Sequence, residues 1–154
     1  MSRLTTLAAI VAGIAVGLGG DTFVYAKGYS YLTNDPAACA NCHVMQDHFD
    51  AWTRSSHRAV ATCNDCHTPP GLVPKYVTKA RNGFWHSFYF TFGGYPDPLR
   101  ITPRNHDVTE LACRKCHADL TASIEPSIER PPSGSGHAAG LTCTRCHNTV
   151  GHIE

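Results

Sequence analysis

Cys39-Ala-Asn-Cys42-His43, Cys63-Asn-Asp-Cys66-His67, Cys113-Arg-Lys-Cys116-His117 and Cys143-Thr-Arg-Cys146-His147 are four copies of one pattern, and they use all 8 cysteines of the 154-residue chain. C-x-x-C-H is the attachment signature of c-type haem, in which two thiols bond the porphyrin and the next histidine reaches the iron. Zinc sites pair two C-x-x-C knuckles around one metal and need no histidine after each pair. A disulfide scaffold has no reason to keep every spacing at two, and a thioredoxin-like pair needs one copy, not four. The motifs therefore predict four covalently bound haem c groups. Covalent haem attachment also places the motif-bearing part of the chain outside the bacterial cytoplasmic membrane.

The rest of the composition fits a chain wrapped around cofactors. About 130 residues remain for four haems once the first two dozen or so are set aside. Gly (13) and Pro (10) are plentiful, and only 42% of residues are hydrophobic, so a large protein core is not expected. The porphyrin faces should form the apolar centre, and the chain should not fold without them. The expected fold is mostly α with much irregular loop: one N-terminal transmembrane helix plus a compact tetrahaem c-type cytochrome domain. A net charge of +1 gives no reason to expect a nucleic-acid partner.

Leu4 to Gly20 is an uncharged run of 17 residues, followed by Asp21 and then Thr22-Phe23-Val24-Tyr25-Ala26. As helix the run spans only about 25 Å, just short of the hydrocarbon thickness, and Phe23 and Tyr25 extend it to the interface. Val24-Tyr25-Ala26 would also satisfy the small-residue rule of a cleaved leader. The run is long for a leader, so the expectation is a retained anchor over 1–27 and a periplasmic haem domain over 28–154. Arg3 before the run sets the N-terminus inside, giving a single-pass protein of the cytoplasmic (inner) membrane.

The chain also repeats itself. Ser56-His57 lies before Thr62-Cys63 as Gly136-His137 lies before Thr142-Cys143, with each histidine six residues ahead of its cysteine. Motifs one and three precede their partners by 24 and 30 residues. This predicts two pseudo-repeated haem pairs (1/2 and 3/4) joined by 68–112, with a Pro/Gly/Ser loop over 131–140. Six of the 10 histidines lie outside the motifs: His48, His57, His86, His106, His137 and His152. A lone histidine is ordinarily a surface or core residue, but here up to four distal positions need ligands. His57 and His137 gain from the repeat, and His152 from its short tail behind His147. His48 and His106 receive no role. Met45, two residues after His43, is one of only 2 methionines, and thioether ligation would raise a haem's potential; otherwise it packs on a porphyrin edge.

The C-x-x-C-H-x-M start, the single anchor and four haem motifs in about 150 residues resemble the NapC/NirT family of quinol dehydrogenases. Within it, the likeness is to the small membrane subunits of cytochrome c nitrite reductase complexes. Asp35-Pro36-Ala-Ala-Cys39, Ser55-Ser56-His57, Lys75-Tyr76-Val-Thr-Lys79-Ala80-Arg81 and the His147–His152 tail carry it. The resemblance implies that Met45, not His43, ligates haem 1, with an open or weakly filled distal side. It implies His67, His117 and His147 as motif ligands of haems 2, 3 and 4, His152 as the distal ligand of haem 2 and His57 as that of haem 3. Haem 4 would face a partner able to supply its last ligand. His137 is not required by that pattern and is either a local distal ligand or a loop residue. The family's aspartate at the quinol pocket is Asn82 in this chain, and an amide cannot accept a proton.

On its own chemistry, 74–92 predicts an amphipathic helix: Tyr76, Ala80, Phe84, Phe88 and Phe92 recur every fourth residue, while Lys75, Lys79, Asn82 and His86 form a polar stripe. Basic, aromatic-rich amphipathic helices lie at membrane surfaces; the plainer reading is a helix packed on a haem face with its lysines in water. Such a surface would admit a lipid quinol, with Lys75 and Lys79 contacting its head group and His86, or Asp97 in the next loop, taking its proton. The expected activity is a quinol dehydrogenase: menaquinol oxidised at haem 1, and electrons passed through haems 2 and 3 to haem 4 and a periplasmic pentahaem nitrite reductase. Ammonia-forming nitrite reduction would belong to that partner. The alternatives are a different periplasmic reductase or hydroxylamine-oxidoreductase-like partner, or a passive tetrahaem shuttle with no quinol site.

Overall fold

A computed structural model describes residues 2–124 and 142–152. Among them the chain is helical and contains no strand. His137 and the 131–140 stretch lie outside the described residues, so the second half of the repeat has no structural counterpart to report.

Helix α1 spans Arg3–Tyr25. Ser2 starts it by accepting the Thr5 N–H, a side-chain cap that satisfies one of the unpaired donors of the first turn. The helix has no buried residue and is long and apolar enough to cross a membrane. It stops at Lys27, whose backbone is left-handed (φ 50°), and a 3₁₀ turn over Gly28–Leu32 leads away.

The four motifs do not share one local geometry. The first lies in a 3₁₀ segment, Pro36–Asn41, opened by Asp35 with its carboxylate on the Ala37 N–H, and it leaves Cys42 in extended backbone. The second forms helix α3 (Cys63–His67), the third ends helix α5 (Pro103–Cys116), and the fourth forms helix α7 (Cys143–Cys146). Helix α2 (Gln46–Arg54) follows the first motif, and α6 (Ala118–Ile124) follows the third. Helix α4, Leu72–Phe92, is the predicted amphipathic segment. It starts two residues before the expected 74, because Gly71 at φ 94° turns the chain in and Pro74 is harmless in a first turn.

What packs is sparse. Helix α3 lies on α5, bringing the second and third motifs together. Ala51 is the one buried apolar side chain among the described residues; the other buried residues are Ser55, Thr78 and Glu110. Polar bonds do much of the joining. Tyr76 donates its hydroxyl to the Leu32 carbonyl (3.1 Å), Lys79 donates to Thr33, and Asn64 reaches Asn34 at 3.2 Å. Helices α4 and α3 are thereby tied to the turn that follows α1.

Candidate haem and quinol sites

None of the eight motif cysteines is in a disulfide. The motifs sit close enough to touch. A hydrogen bond between Cys39 and Cys63 holds Cys39 down to about 7 and pushes Cys63 up, so the first and second attachment sites are neighbours. Burial raises Cys66, with the Cys116 charge adding to it, and burial raises Cys113, with Glu110 and Cys66 adding to it. The thiols of the second and third motifs share one region.

Each of the two middle motif histidines faces a remote one. The rings of His57 and His117 have centroids 6.3 Å apart, and those of His67 and His152 are 5.9 Å apart. Two imidazoles on opposite sides of one metal, at roughly 2 Å per metal–nitrogen bond, stand about 6 Å apart between centroids. His57 Nδ1 is buried without a hydrogen-bond partner, an arrangement native proteins avoid unless something else meets the group. Burial, with His152 and His48 alongside, pushes His67 down to about 4, so its ring is neutral at pH 7 and offers a lone pair. The paired imidazoles, the C-x-x-C cysteines without disulfides and the unmet nitrogen all fit covalent haem.

His152 is also held from behind. Its Nδ1 lies 3.2 Å from the His48 carbonyl, and the two rings meet edge to face at 5.1 Å. If Nδ1–H donates to that carbonyl, Nε2 is left as the free lone pair, the usual outer-shell arrangement of a metal-binding histidine. Sequence reading gave His48 no role, because a backbone carbonyl 104 positions away in the chain leaves no local signal. His106, also without a role, has Nε2 2.8 Å from the Thr144 hydroxyl and 3.6 Å from Glu110.

In the first motif His43 is exposed while Met45 is half-buried. Cys42 lies in extended backbone, whereas the other motifs hold their second cysteine in helix, and a 3₁₀ turn over His43–Met45 follows it. Tyr31, which sequence reading passed over, lies beside this motif. Burial pushes its hydroxyl up to about 12, with the Cys42 and Cys39 thiols adding to the rise. Its ring also lies 3.9 Å from where a Cβ on Gly83 would stand, so it bridges the first motif and α4.

The polar stripe of α4 splits in two along its length. At one end both Lys75 and Lys79 lie over the Tyr76 ring, at 5.9 and 5.7 Å, and burial lowers Lys79, with Lys75 adding to it. At the other end Asn82 and His86 line a cavity of about 500 Å³ between α4 and the start of α5. Asn105 bridges the walls, donating to Asn82 Oδ1 at 3.3 Å. Burial lowers His86. Asp97 is not among the residues lining this cavity. Beyond it runs an aromatic ladder: Trp85 stacks on Tyr89 (5.6 Å) and Phe88 meets Phe92 (4.9 Å), all four exposed. His147 is exposed, and no second imidazole packs against it among the described residues.

A helical chain of four C-x-x-C-H motifs with imidazoles arranged in pairs defines a multihaem c-type cytochrome. More particularly, the chain belongs to the NapC/NirT cytochrome c family, whose N-terminal-region description matches residues 1–154. It is 39% identical to the cytochrome c-type protein NrfH of Wolinella succinogenes, with 93% of this chain and 82% of that protein covered. It is 28% identical to the cytochrome c nitrite reductase subunit NrfH of Nitratidesulfovibrio vulgaris, over 93% of this chain and 86% of the other. Among solved structures it resembles a chain of the cytochrome c nitrite reductase NrfHA complex bound to the HQNO inhibitor. That match has a TM-score of 0.62 and 26% identity, covering 98% of this chain and 91% of the other.

Proposed function

We propose that this protein is a membrane-anchored tetrahaem quinol dehydrogenase that oxidises menaquinol and delivers the electrons to a periplasmic multihaem nitrite reductase. The observation that carries the reading is the facing of His57 with His117 and of His67 with His152. Relatives named as nitrite reductase subunits support the choice of partner. Residues 1–27 anchor the chain with the N-terminus inside, and 28–154 form the periplasmic domain.

Bound haem supplies the one-electron chemistry that takes a quinol's two electrons in turn and relays them outward. The chain holds the four groups through its eight cysteines. Met45 would be the ligand in the first motif, the pairs His67/His152 and His57/His117 would hold the second and third groups, and His147 would hold the fourth, the one nearest the partner. The quinol head group lies along Lys75, Lys79, Asn82 and His86. Asn82 hydrogen-bonds a hydroxyl without taking its proton. His86 takes it: burial keeps the ring neutral at pH 7 and therefore able to accept. Asp97 would serve only after a movement of its loop toward the cavity. Solubilising membranes in mild detergent, pulling on this chain and identifying its companions by mass tests the proposal. A multihaem nitrite reductase is expected; a different periplasmic reductase would overturn the partner, and no menaquinol-dependent haem reduction would overturn the activity.

A further inference from the structure

Tyr31 lies where the first attachment motif meets the polar stripe of α4. It sits in the 3₁₀ turn Gly28–Leu32, half-buried, with its hydroxyl bonded to the Cys42 thiol. Its ring stands 3.9 Å from where a Cβ on Gly83 would be. Gly83 is four residues past Lys79 and three before His86, spacings that put all three on one face of a helix. The phenol therefore borders the stripe on the side of the first motif, and it is not among the residues lining the cavity beyond Asn82. Its place is fixed by its neighbours: Tyr76 donates to the Leu32 carbonyl and Lys79 to that of Thr33. Lys79 and Cys39 also feel each other's charge, so the other sulfur of the motif is near the stripe as well.

Thioether formation changes what the Tyr31 hydroxyl can bond. A thioether sulfur is a weak acceptor, so once Cys42 is joined to a porphyrin the half-buried O–H is left without a good partner. Sheltered phenols ordinarily have one. A quinol oxygen is an acceptor of the right kind, and the phenol ring offers a flat apolar face beside it. Burial is the largest cause of the rise of this hydroxyl to about 12, so it keeps its proton at pH 7. It can hold a quinol oxygen but does not compete with His86 for the proton.

We propose that Tyr31 binds the quinol directly, donating its O–H to a quinol oxygen and holding the head group between the stripe of α4 and the first attachment motif. The inference rests on the proposed quinol oxidation and adds a contact from outside α4. Lys75, Lys79, Asn82 and His86 all belong to one helix, and a flat head group held from one helix can swing away from the first motif. A second contact from the turn after α1 fixes its orientation, which is what a reacting pair needs.

The test uses the full haem-loaded chain in detergent, with haem content checked by intact mass. The probe is HQNO, the inhibitor bound in the related complex, whose N-oxide oxygen can accept from a phenol; its binding is read by quenching of its fluorescence. Tyr31→Phe is expected to weaken HQNO binding about fivefold to tenfold, as loss of one hydrogen bond does, and to raise the KM for menaquinol more than it lowers kcat. The haem absorption spectrum should stay as in wild type. Tyr31→Ala, which also removes the ring, should lower kcat by about 10²-fold, as misplaced reactants do. Wild-type HQNO affinity in Tyr31→Phe would overturn the inference. So would a weakened affinity that comes with a shifted haem spectrum, the mark of a merely structural tyrosine. A wild type that binds HQNO but oxidises no menaquinol overturns the proposed activity alone, and the HQNO affinities still decide the role of Tyr31. Neither binding nor oxidation in wild type overturns both.

Discussion

Glu110 Oε2 accepts the backbone N–H of Cys143 at 2.7 Å, while Oε1 takes the Thr144 N–H at 3.0 Å and its hydroxyl at 2.6 Å. A buried carboxylate on the helix of the third motif thus closes the start of the helix of the fourth. In the second motif the same work is local: Asp65, inside Cys63-Asn-Asp-Cys66, accepts the Thr62 N–H at 2.8 Å and hydroxyl at 2.7 Å as part of a capping box. The fourth motif has Arg145 at the equivalent place, so its acid comes from 33 residues away.

Replacing Glu110 with alanine strands two amide donors and is expected to cost about 2–4 kcal/mol, seen as a lower thermal midpoint of the haem-loaded protein; glutamine, which keeps an acceptor, costs less. Burial alone would raise the Glu110 pKa, but the bonds from Thr144 and Cys143 outweigh it and hold the carboxyl below its ordinary 4.5. A lowered native value means the clamp stabilises fully above 4.5 and fades as pH falls through the native value. Wild type should therefore lose midpoint on acidification below 4.5, and Glu110→Gln should lose less over the same range.

His57→Ala should leave all four haems attached, since the cysteines are untouched, and convert one of them from low spin to high spin. Intact mass reads the first and electron paramagnetic resonance the second. His152→Ala should do the same to a different haem. Spectra unchanged in both variants would remove the proposed pairing with His117 and His67.

Met45→Leu and His43→Leu should part company. Met45 is half-buried and His43 exposed, and with Met45 proposed as the ligand only the methionine change should perturb the haem of the first motif in absorption and potential. A haem that responds to His43→Leu alone would reverse the assignment.

His86→Gln keeps size and hydrogen bonding but cannot take a proton. Menaquinol oxidation is expected to fall by roughly 10²- to 10⁴-fold, with the acid limb of the pH–rate profile lost. Asp97→Asn should have little effect. A wild-type rate in the double variant would mean that neither group is the acceptor.

Much of this molecule is legible along the chain, and the illegible parts share a cause. Period-four aromatics and the Lys75-Lys79-Asn82-His86 stripe mark α4 to within two residues at its start, because amphipathic spacing is a local property. The Cys-x-x-Cys-His copies announce themselves for the same reason. Which imidazole faces which came from family likeness, not from the residues, since His67 and His152 are 85 positions apart and meet only through the fold. The Glu110 clamp and the His48 carbonyl behind His152 are likewise long-range bonds made by groups that look ordinary in sequence.

Ala51 alone among apolar side chains is buried in the described residues. Such a polypeptide has little inner reason to collapse by itself, so before its porphyrins arrive it stays threadable. Its assembly order is then written into its composition: a loose strand first, thioether formation next, and a settled shape only at the end.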